Sequence, residues 1–115
     1  MKVLVIVNTS PWGGSLAVTA LRMVRSMLLQ GLSIDSIQFR GEGVYNALAG
    51  QGNDAGTPDF PGAWLDLANE HGFPLVLCSS ASTRRLDPAP KEGFRTAGLP
   101  EMLERMAACD RVVTF

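Results

Sequence analysis

The sequence predicts an α/β fold, a three-layer sandwich built over a mostly parallel sheet. Short apolar, β-branched segments alternate along the chain with segments whose apolar residues recur at helical spacing, which is typical of βαβ units. The chain has 115 residues, of which 46% are hydrophobic and 18% charged. This is the size and composition of one folded domain, and no internal repeat or boundary divides residues 1–115.

The first third of the chain predicts a strand, a helix and a second strand. Residues 2–8 form a short apolar run that favours a central strand of a parallel sheet. From residue 16 to about residue 30 the apolar positions lie on one helical face, with Ser15 placed as N-cap and Gly31 placed to end the helix. Residues 33–39 predict a weaker strand because their alternation is imperfect.

The middle of the chain predicts a loop and a second helix. Residues 48–58 are rich in glycine and have no apolar period, so we expect a loop. Asp59 can cap a helix from Phe60 to His71, and Gly72 is placed to end that helix.

The last third predicts a buried strand, a loop, a helix and a closing strand. The apolar run 73–77 leads to Cys78 and predicts a strand that is buried on both faces. Residues 87–93 predict a loop. Pro100 suits the first turn of a helix that continues through Ala108, and residues 111–115 predict a final strand.

Cys78 is the main candidate for a functional residue. In open α/β sheets the chemistry lies at the carboxyl ends of the strands, where Cys78 is expected. The small residues that follow can start a helix, whose first N–H groups, at Ser79 and Ser80, would stabilise a thiolate. The side chains of Arg84 and Arg85 would add positive charge. The alternative is a small buried side chain, since free cysteine is among the most buried residue types.

Composition excludes some classes of function. The formal net charge of −1 gives no basic field for nucleic acid. The N-terminal apolar run is too short for a secretion signal, and no segment approaches the roughly 20 apolar residues of a membrane span. Two cysteines without a secretion signal indicate a reducing compartment, so we expect a cytoplasmic protein with free thiols.

Other candidate residues have simpler interpretations. His71, the only histidine, precedes the cysteine strand and is expected at the opposite edge of the sheet, which argues against a Cys–His hydrolase. Cys109 ends an apolar helix face and is predicted to be packed and structural. No pattern of ligands at metal spacing occurs. A thiol without a base suits sulfur carriage by exchange chemistry, which needs a thiolate and access.

Two further features leave alternatives open. The segment Gly13-Gly14-Ser15 could cradle a phosphate, but it lacks both the GxGxxG spacing and a P-loop lysine, so a plain turn is favoured. Trp12 lies in a loop, where a contact surface and a buried anchor are equally compatible with the sequence. Tyr45 and Trp64 are predicted to be core or interface anchors.

The order and spacing of several short motifs resemble the TusD/DsrE family of sulfur-relay proteins, and the TusD branch most closely. The resemblance runs nearly end to end and depends on these motifs: Gly43-Val44-Tyr45-Asn46-Ala47, the strand that ends in Cys78, Ala81-x-x-Arg84-Arg85, Gly93-Phe94, Gly98-Leu99 and Cys109-Asp110-Arg111-Val112-Val113-x-Phe115. The segment from Arg85 to Phe94 is about ten residues shorter than is usual for the family, a change on the scale of a loop. Leu86 stands where a glycine commonly follows the two arginines.

The resemblance implies a cytoplasmic sulfurtransferase subunit with a DsrE-like, flavodoxin-like fold. It implies that Cys78 accepts persulfide sulfur from a TusA-like donor and passes it to a TusE-like acceptor, for 2-thiolation of the wobble uridine in tRNA. It also implies assembly with TusB- and TusC-like subunits into a dimer of heterotrimers, without direct contact to nucleic acid or membrane. No metal or organic cofactor is implied.

Three alternative functions remain at this point. A DsrE-type carrier in sulfur oxidation would use the same thiol in another pathway, and the residues around Cys78 do not distinguish the two. A non-catalytic scaffold subunit would hold an inert Cys78. A small nucleotide-binding module would use the segment 13–15 instead.

Overall fold

The structure, a computed structural model, describes residues 1–12, 15–48, 59–86, 90 and 92–115. Its five strands are β1 Lys2–Val7, β2 Ser33–Phe39, β3 Leu75–Cys78, β4 Phe94–Ala97 and β5 Arg111–Thr114. Its four α-helices are α1 Leu16–Leu29, α2 Phe60–His71, α3 Ser79–Arg85 and α4 Leu99–Ala107, and a 3₁₀ helix spans Gly41–Ala47. The elements predicted from the sequence are all present with closely similar bounds. The strand β4 and the 3₁₀ helix were not predicted.

The strands form one sheet in the order β4-β3-β2-β1-β5. All four neighbouring pairs are parallel, so the prediction of an α/β fold over a mostly parallel sheet is confirmed. β3 has a hydrogen-bonded neighbour on each side, which places the end of the cysteine strand between β2 and β4. The carboxyl ends of all five strands therefore lie at one edge of the sheet, which we call the carboxyl edge.

One face of the sheet carries the main core. Alternate residues of β1 point to this face, where they meet the buried sides of α1 and α2. Trp64 is fully buried there, edge-on to the Phe39 ring with 5.5 Å between ring centroids. It is therefore a core residue. The buried members of this cluster are Val3, Val5, Val7, Ala17, Ala20, Leu21, Val24, Ile37, Phe39, Val44, Ala47, Phe60, Trp64, Leu67, Ala68, Phe73, Leu75, Leu77 and Ala81.

The opposite face has a smaller apolar cluster, in which Leu4 and Ile6 of β1 pack against Met102 of α4. Helices thus cover both faces, as the predicted three-layer arrangement requires. This face also buries polar groups of β2, which has an irregular register against β1 between Val3 and Leu4. At this irregularity the carboxylate of Asp35 accepts a hydrogen bond from Ser36 Oγ at 2.9 Å and pairs with Arg105 Nη1 at 3.1 Å. The ion pair links β2 to α4.

The helix ends follow the predicted capping residues. The Asp59 carboxylate accepts a hydrogen bond from Gly62 N–H at 3.2 Å at the start of α2. Gly72 ends the same helix with φ of +76°, a left-handed conformation that glycine adopts without a steric penalty. Ser15 occupies the N-cap position of α1, although its side chain makes no capping hydrogen bond.

Several predicted loops lie partly or wholly outside the described residues. Of the predicted loop 48–58 only Leu48 is described, and of the loop 87–93 only residues 90, 92 and 93 are. Gly13 and Gly14, the core of the possible phosphate cradle, also lie outside. In the part of the chain that is described, no helix is long and apolar enough to cross a membrane.

Candidate thiol site

Cys78 lies at the carboxyl edge of the sheet, at the junction of β3 and α3. It is the last residue of β3, where it pairs with Ala97 of β4, and it is also the N-cap residue of α3. The residue is half-buried and the thiol is free. Its Sγ lies 3.5 Å from Ser80 Oγ. The placement predicted from the sequence is therefore observed, and the thiol is neither sealed in the core nor fully exposed.

The surroundings of Cys78 favour the thiolate. Burial alone would raise the pKa of the Cys78 thiol, because a charged sulfur loses hydration. The Ser80 hydroxyl, the backbone N–H groups of Ala81 and Ser80, and the positive charge of Arg40 outweigh burial and leave the pKa below its ordinary value. A larger fraction of the thiol is consequently ionised near neutral pH than in a free cysteine.

Arg40 is a cation at the thiol site that was not predicted from the sequence. Phe39 pairs with Leu77, so the next residues along the two strands, Arg40 and Cys78, end neighbouring strands side by side. The Arg40 guanidinium Nη1 lies 3.4 Å from the sulfur of Met102, which places this side chain on the face covered by α4. Because 38 positions separate Arg40 from Cys78 in the sequence, only the register of β2 against β3 could have indicated that they are neighbours.

A tight turn fixes the backbone around Arg40. The Arg40 N–H donates to the carbonyl of Val7 at 3.0 Å, and the Arg40 carbonyl accepts from Gly43 N–H at 2.8 Å. A Cβ atom at Gly43 would overlap the Val7 carbonyl group, so only glycine fits this close approach. Part of the motif at residues 43–47 therefore serves to hold the end of β2 beside the thiol.

The structure locates the other residues predicted to stabilise the anion. Arg84 Nε donates to the carbonyl oxygen of Ser80 at 3.4 Å, and Arg85 lies over the ring of Tyr45, with 6.0 Å from Cζ to the ring centroid. The N–H groups that lower the pKa of Cys78 belong to Ser80 and Ala81. The sequence predicted the N–H groups of Ser79 and Ser80 for this role, so the pair found in the structure is shifted by one residue along the chain. A role for Ser79, Arg84 and Arg85 at the thiol stays a prediction.

The remaining sequence candidates lie elsewhere. Cys109 is half-buried against the small cluster of Leu4, Ile6 and Met102, and burial together with the nearby Asp35 carboxylate raises the pKa of the Cys109 thiol. His71 ends α2 and borders a cavity of about 260 Å³, which is lined by Arg25, Leu28, Leu29, Leu67, Glu70 and His71. Among the described residues, no group of three or more His, Cys, Asp or Glu could hold a metal ion.

Two aromatic residues lie in segments that emerge at the carboxyl edge. Trp12 follows β1, and Tyr45 lies in the 3₁₀ helix that follows β2. Their ring centroids are 5.2 Å apart with an angle of 42° between the planes. Trp12 remains 41% exposed, so of the two interpretations of this tryptophan the structure supports a contact surface.

The arrangement supports nucleophilic exchange at sulfur. A partly ionised, accessible thiol can attack another sulfur without a general base, because the thiolate is already the nucleophile. His71 ends α2, the helix that precedes β3, whereas Cys78 lies at the carboxyl end of β3.

Comparison with known proteins identifies relatives over the whole chain. "Sulfurtransferase TusD" of Cronobacter sakazakii is 31% identical, and the alignment covers 100% of both chains. The protein of the same name from Photorhabdus laumondii is 30% identical, with 96% of this chain and 94% of the relative covered. These alignments span 128 positions, more than the 115 residues of this chain, as expected for a chain that is shorter than its relatives.

The fold and the sequence profile agree with these relatives. The crystal structure of the YchN protein from E. coli superposes with a TM-score of 0.85 at 21% identity, covering 100% of this chain and 99% of YchN, which supports the fold. The profile of the DsrE/DsrF-like family matches residues 1–115. With a profile match over its full length and relatives at 30% identity or more, the chain belongs to the DsrE/DsrF-like family.

Proposed function

We propose that this chain is a sulfurtransferase that carries persulfide sulfur on Cys78. The observation that carries the proposal is the thiol itself: a half-buried cysteine at the carboxyl edge, whose pKa is lowered by Ser80, by helix N–H groups and by Arg40. The names of the relatives support sulfur transfer as the reaction. The family resemblance supports relay between proteins as the mode of transfer.

The proposed loading step is an exchange at sulfur. The Cys78 thiolate attacks the outer sulfur of a donor persulfide, R–S–SH. The S–S bond of the donor breaks, a new S–S bond joins that outer sulfur to Cys78 Sγ, and the donor cysteine leaves as a thiolate. The proton stays on the transferred sulfur, so the products are R–S⁻ and Cys78–S–SH. Sulfur is neither oxidised nor reduced overall, and no further reactant is needed.

Arg40 and the start of α3 contribute to both directions of this exchange. In loading, they raise the fraction of Cys78 that is nucleophilic. When an acceptor thiolate attacks the outer sulfur of Cys78–S–SH, Cys78 becomes the leaving group, and the same groups stabilise the departing thiolate. A site that favours the anion therefore suits a carrier, which must both receive and release sulfur.

The pathway and the partners are proposed from the family resemblance. The chain would act in the cytoplasm with TusB- and TusC-like subunits, receive sulfur from a TusA-like donor and pass it to a TusE-like acceptor. The final product would be 2-thiolated wobble uridine in tRNA. Complementation of a bacterial strain that lacks its TusD-type subunit, followed by mass spectrometry of tRNA nucleosides, tests this pathway. Persulfide loading without restored thiouridine would instead favour a DsrE-type role in sulfur oxidation.

The direct test of the carrier is persulfide loading followed by mass spectrometry of the intact protein. The wild type and Cys109→Ser should each gain one sulfur atom from glutathione persulfide, located on the peptide that contains Cys78. Cys78→Ser should gain none. The assignment is wrong if Cys78→Ser gains sulfur as readily as the wild type.

A further inference from the structure

We propose that the surface formed by the exposed Trp12 and Arg85 and the half-buried Tyr45, here called the aromatic patch, is the docking site for the protein that delivers sulfur to Cys78. We further infer that this donor presents an acidic face around its own persulfide. The inference rests on the proposed function and deepens it, because it assigns the surface through which the thiol is reached.

The three residues converge from separate segments. Trp12 follows β1, Tyr45 follows β2 and Arg85 ends α3, which follows β3. Because the strands are parallel, all three segments emerge at the carboxyl edge, where Cys78 also lies. The Tyr45 ring is the centre of the patch, with Trp12 at 5.2 Å from its centroid and the Arg85 guanidinium carbon at 6.0 Å.

A typical protein interface is wide enough to include both the aromatic patch and the thiol. Arg85 lies seven residues along α3 from Cys78, which is about 10 Å at the rise of a helix. A stable interface covers about 800 Å² on each partner, a disc roughly 30 Å across. An interface of that size centred on Cys78 is therefore wide enough to include Arg85 and the ring beneath it.

The chemistry of the patch is that of an interface centre. Tryptophan, tyrosine and arginine are the residues most enriched among those that dominate binding energy. Trp12 keeps 41% of its surface exposed although it contacts Tyr45, so it has area left to bury against a partner. The loop before it is held by Ser10, whose hydroxyl donates to the Trp12 carbonyl at 3.1 Å. This hydrogen bond restrains the backbone at Trp12, and the contact with Tyr45 restrains its ring. A side chain that is already restrained loses less conformational entropy on binding.

Charge indicates the kind of partner. In the described segments that follow β1, β2 and β3 at this edge, the charged side chains are Arg40, Arg84 and Arg85 against Glu42. Glu101, which follows β4, is paired with Arg95 at 3.0 Å. This local excess of positive charge contrasts with the formal net charge of −1 for the whole chain. A donor with an acidic face would be attracted to this edge and oriented by it.

The test compares a protein donor with a small donor that needs no docking. The full-length chain, co-expressed with TusB- and TusC-type subunits, is loaded either by a persulfidated TusA-type carrier or by glutathione persulfide. Trp12→Ala should lower the second-order loading rate from the carrier protein at least tenfold and change the glutathione persulfide rate less than twofold. Trp12→Phe should retain most of the carrier rate. Met23→Ala, which removes another exposed apolar side chain (45% exposed, on α1), is the matched control and should change neither rate.

Salt and charge reversal test the acidic face. The carrier rate of the wild type should fall as salt is raised, because screening weakens attraction between exposed charges. Arg85→Glu should lower the ratio of the carrier rate to the glutathione persulfide rate, and more strongly at low salt than at high salt. A carrier rate independent of salt, with an unchanged ratio in Arg85→Glu, would overturn the inferred charge of the partner.

The remaining outcomes separate this inference from the proposed function. If Trp12→Ala loads from the carrier as fast as the wild type, the patch is not the docking site, while persulfide carriage by Cys78 stands. If Trp12→Ala slows only the transfer from Cys78 to an acceptor protein, or only disrupts self-association, the donor assignment is wrong. If the wild type takes up sulfur from neither donor, the proposed function itself fails, and the docking site with it.

Discussion

Replacing Arg40 with glutamine removes the guanidinium that lies beside the Cys78 thiol and should slow the reactions of that thiol below its pKa. Neighbouring strands lie about 4.8 Å apart, and we take roughly 7 Å as the separation of charge and sulfur for this calculation. Two unit charges at that distance interact by about 0.6 kcal/mol in water and about 2.4 kcal/mol at an effective dielectric constant of 20. Because both residues are half-buried and partly solvated, we take about 1 kcal/mol, which is roughly a fivefold change in thiolate population.

The assay is the rate of alkylation of Cys78 by iodoacetamide as a function of pH, in a Cys109→Ser background so that a single thiol reacts. Arg40 lowers the pKa of Cys78, so Arg40→Gln should shift the rate profile to higher pH. The rate should fall about fivefold on the acid side and converge with the wild type where both thiols are fully ionised. Arg40→Lys keeps the charge and should stay close to the wild type.

Arg84→Gln is the informative comparison, since the sequence alone suggested Arg84 as the stabilising cation. Its guanidinium contacts the Ser80 carbonyl, so we expect a smaller effect than for Arg40→Gln. Circular dichroism should show that each variant keeps the fold, because Arg40 also contacts Met102. An acid-side rate that is unchanged in Arg40→Gln but lowered in Arg84→Gln would refute the assignment.

Two further predictions concern stability. Gly43→Ala should lower the free energy of unfolding by about 2 kcal/mol or more, because the added Cβ overlaps the backbone of Val7. The control is Gly98→Ala, where the atom nearest to the added Cβ would be 3.5 Å away. Equal losses of stability for the two variants in urea unfolding would contradict the steric argument. Burial alone would raise the pKa of Asp35, but its hydrogen bond from Ser36 and the nearby cations bring it below its ordinary value of 3.8. The ionised Asp35 carboxylate therefore stabilises the fold above pH 3.8, its ordinary pKa. This contribution is lost as the pH falls through the lower pKa of Asp35 in the folded protein. Asp35→Asn should be less stable than the wild type by about 1–2 kcal/mol at pH 7 and should lose less stability on acidification. If urea titrations show that the free energy of unfolding falls equally with pH in both proteins below pH 7, Asp35 is not the group responsible.

Much of the fold was predictable because most elements carry their own local signal. The helix α1 has a clear apolar face, α2 has the Asp59 cap and the Gly72 stop, and β3 is a continuous apolar run. The strand β4 has no such signal. Its sequence, Phe-Arg-Thr-Ala, contains one large apolar residue, and its side chains are half-buried or exposed at the edge of the sheet. Pairing with β3, rather than sequence preference, makes it a strand.

The sequence predicted where Cys78 lies in the sheet, but it did not predict that Arg40 lies beside it. The position of Cys78 at the carboxyl edge could be predicted because the end of a buried strand is a feature of the sequence itself. Arg40 could not, because it reaches the thiol through the register of β2 against β3. Arg84 and Arg85 are near Cys78 along the chain, yet α3 directs their guanidinium groups to the Ser80 carbonyl and the Tyr45 ring. Their role at the thiol stays a prediction, whereas the register of β2 against β3 places Arg40 beside Cys78.

The pairing of β5 with β1 has a consequence for how the chain folds. The backbone N–H of Lys2 donates to the Asp110 carboxylate across 108 positions, and the N–H groups of Asn8 and Phe115 make further hydrogen bonds between the two segments. Closing so long a stretch of chain costs conformational entropy before these contacts compensate for it. We therefore expect the sheet to assemble around β1, β2 and β3 first, with β5 joining late and hydrogen exchange at its amides faster than in β1.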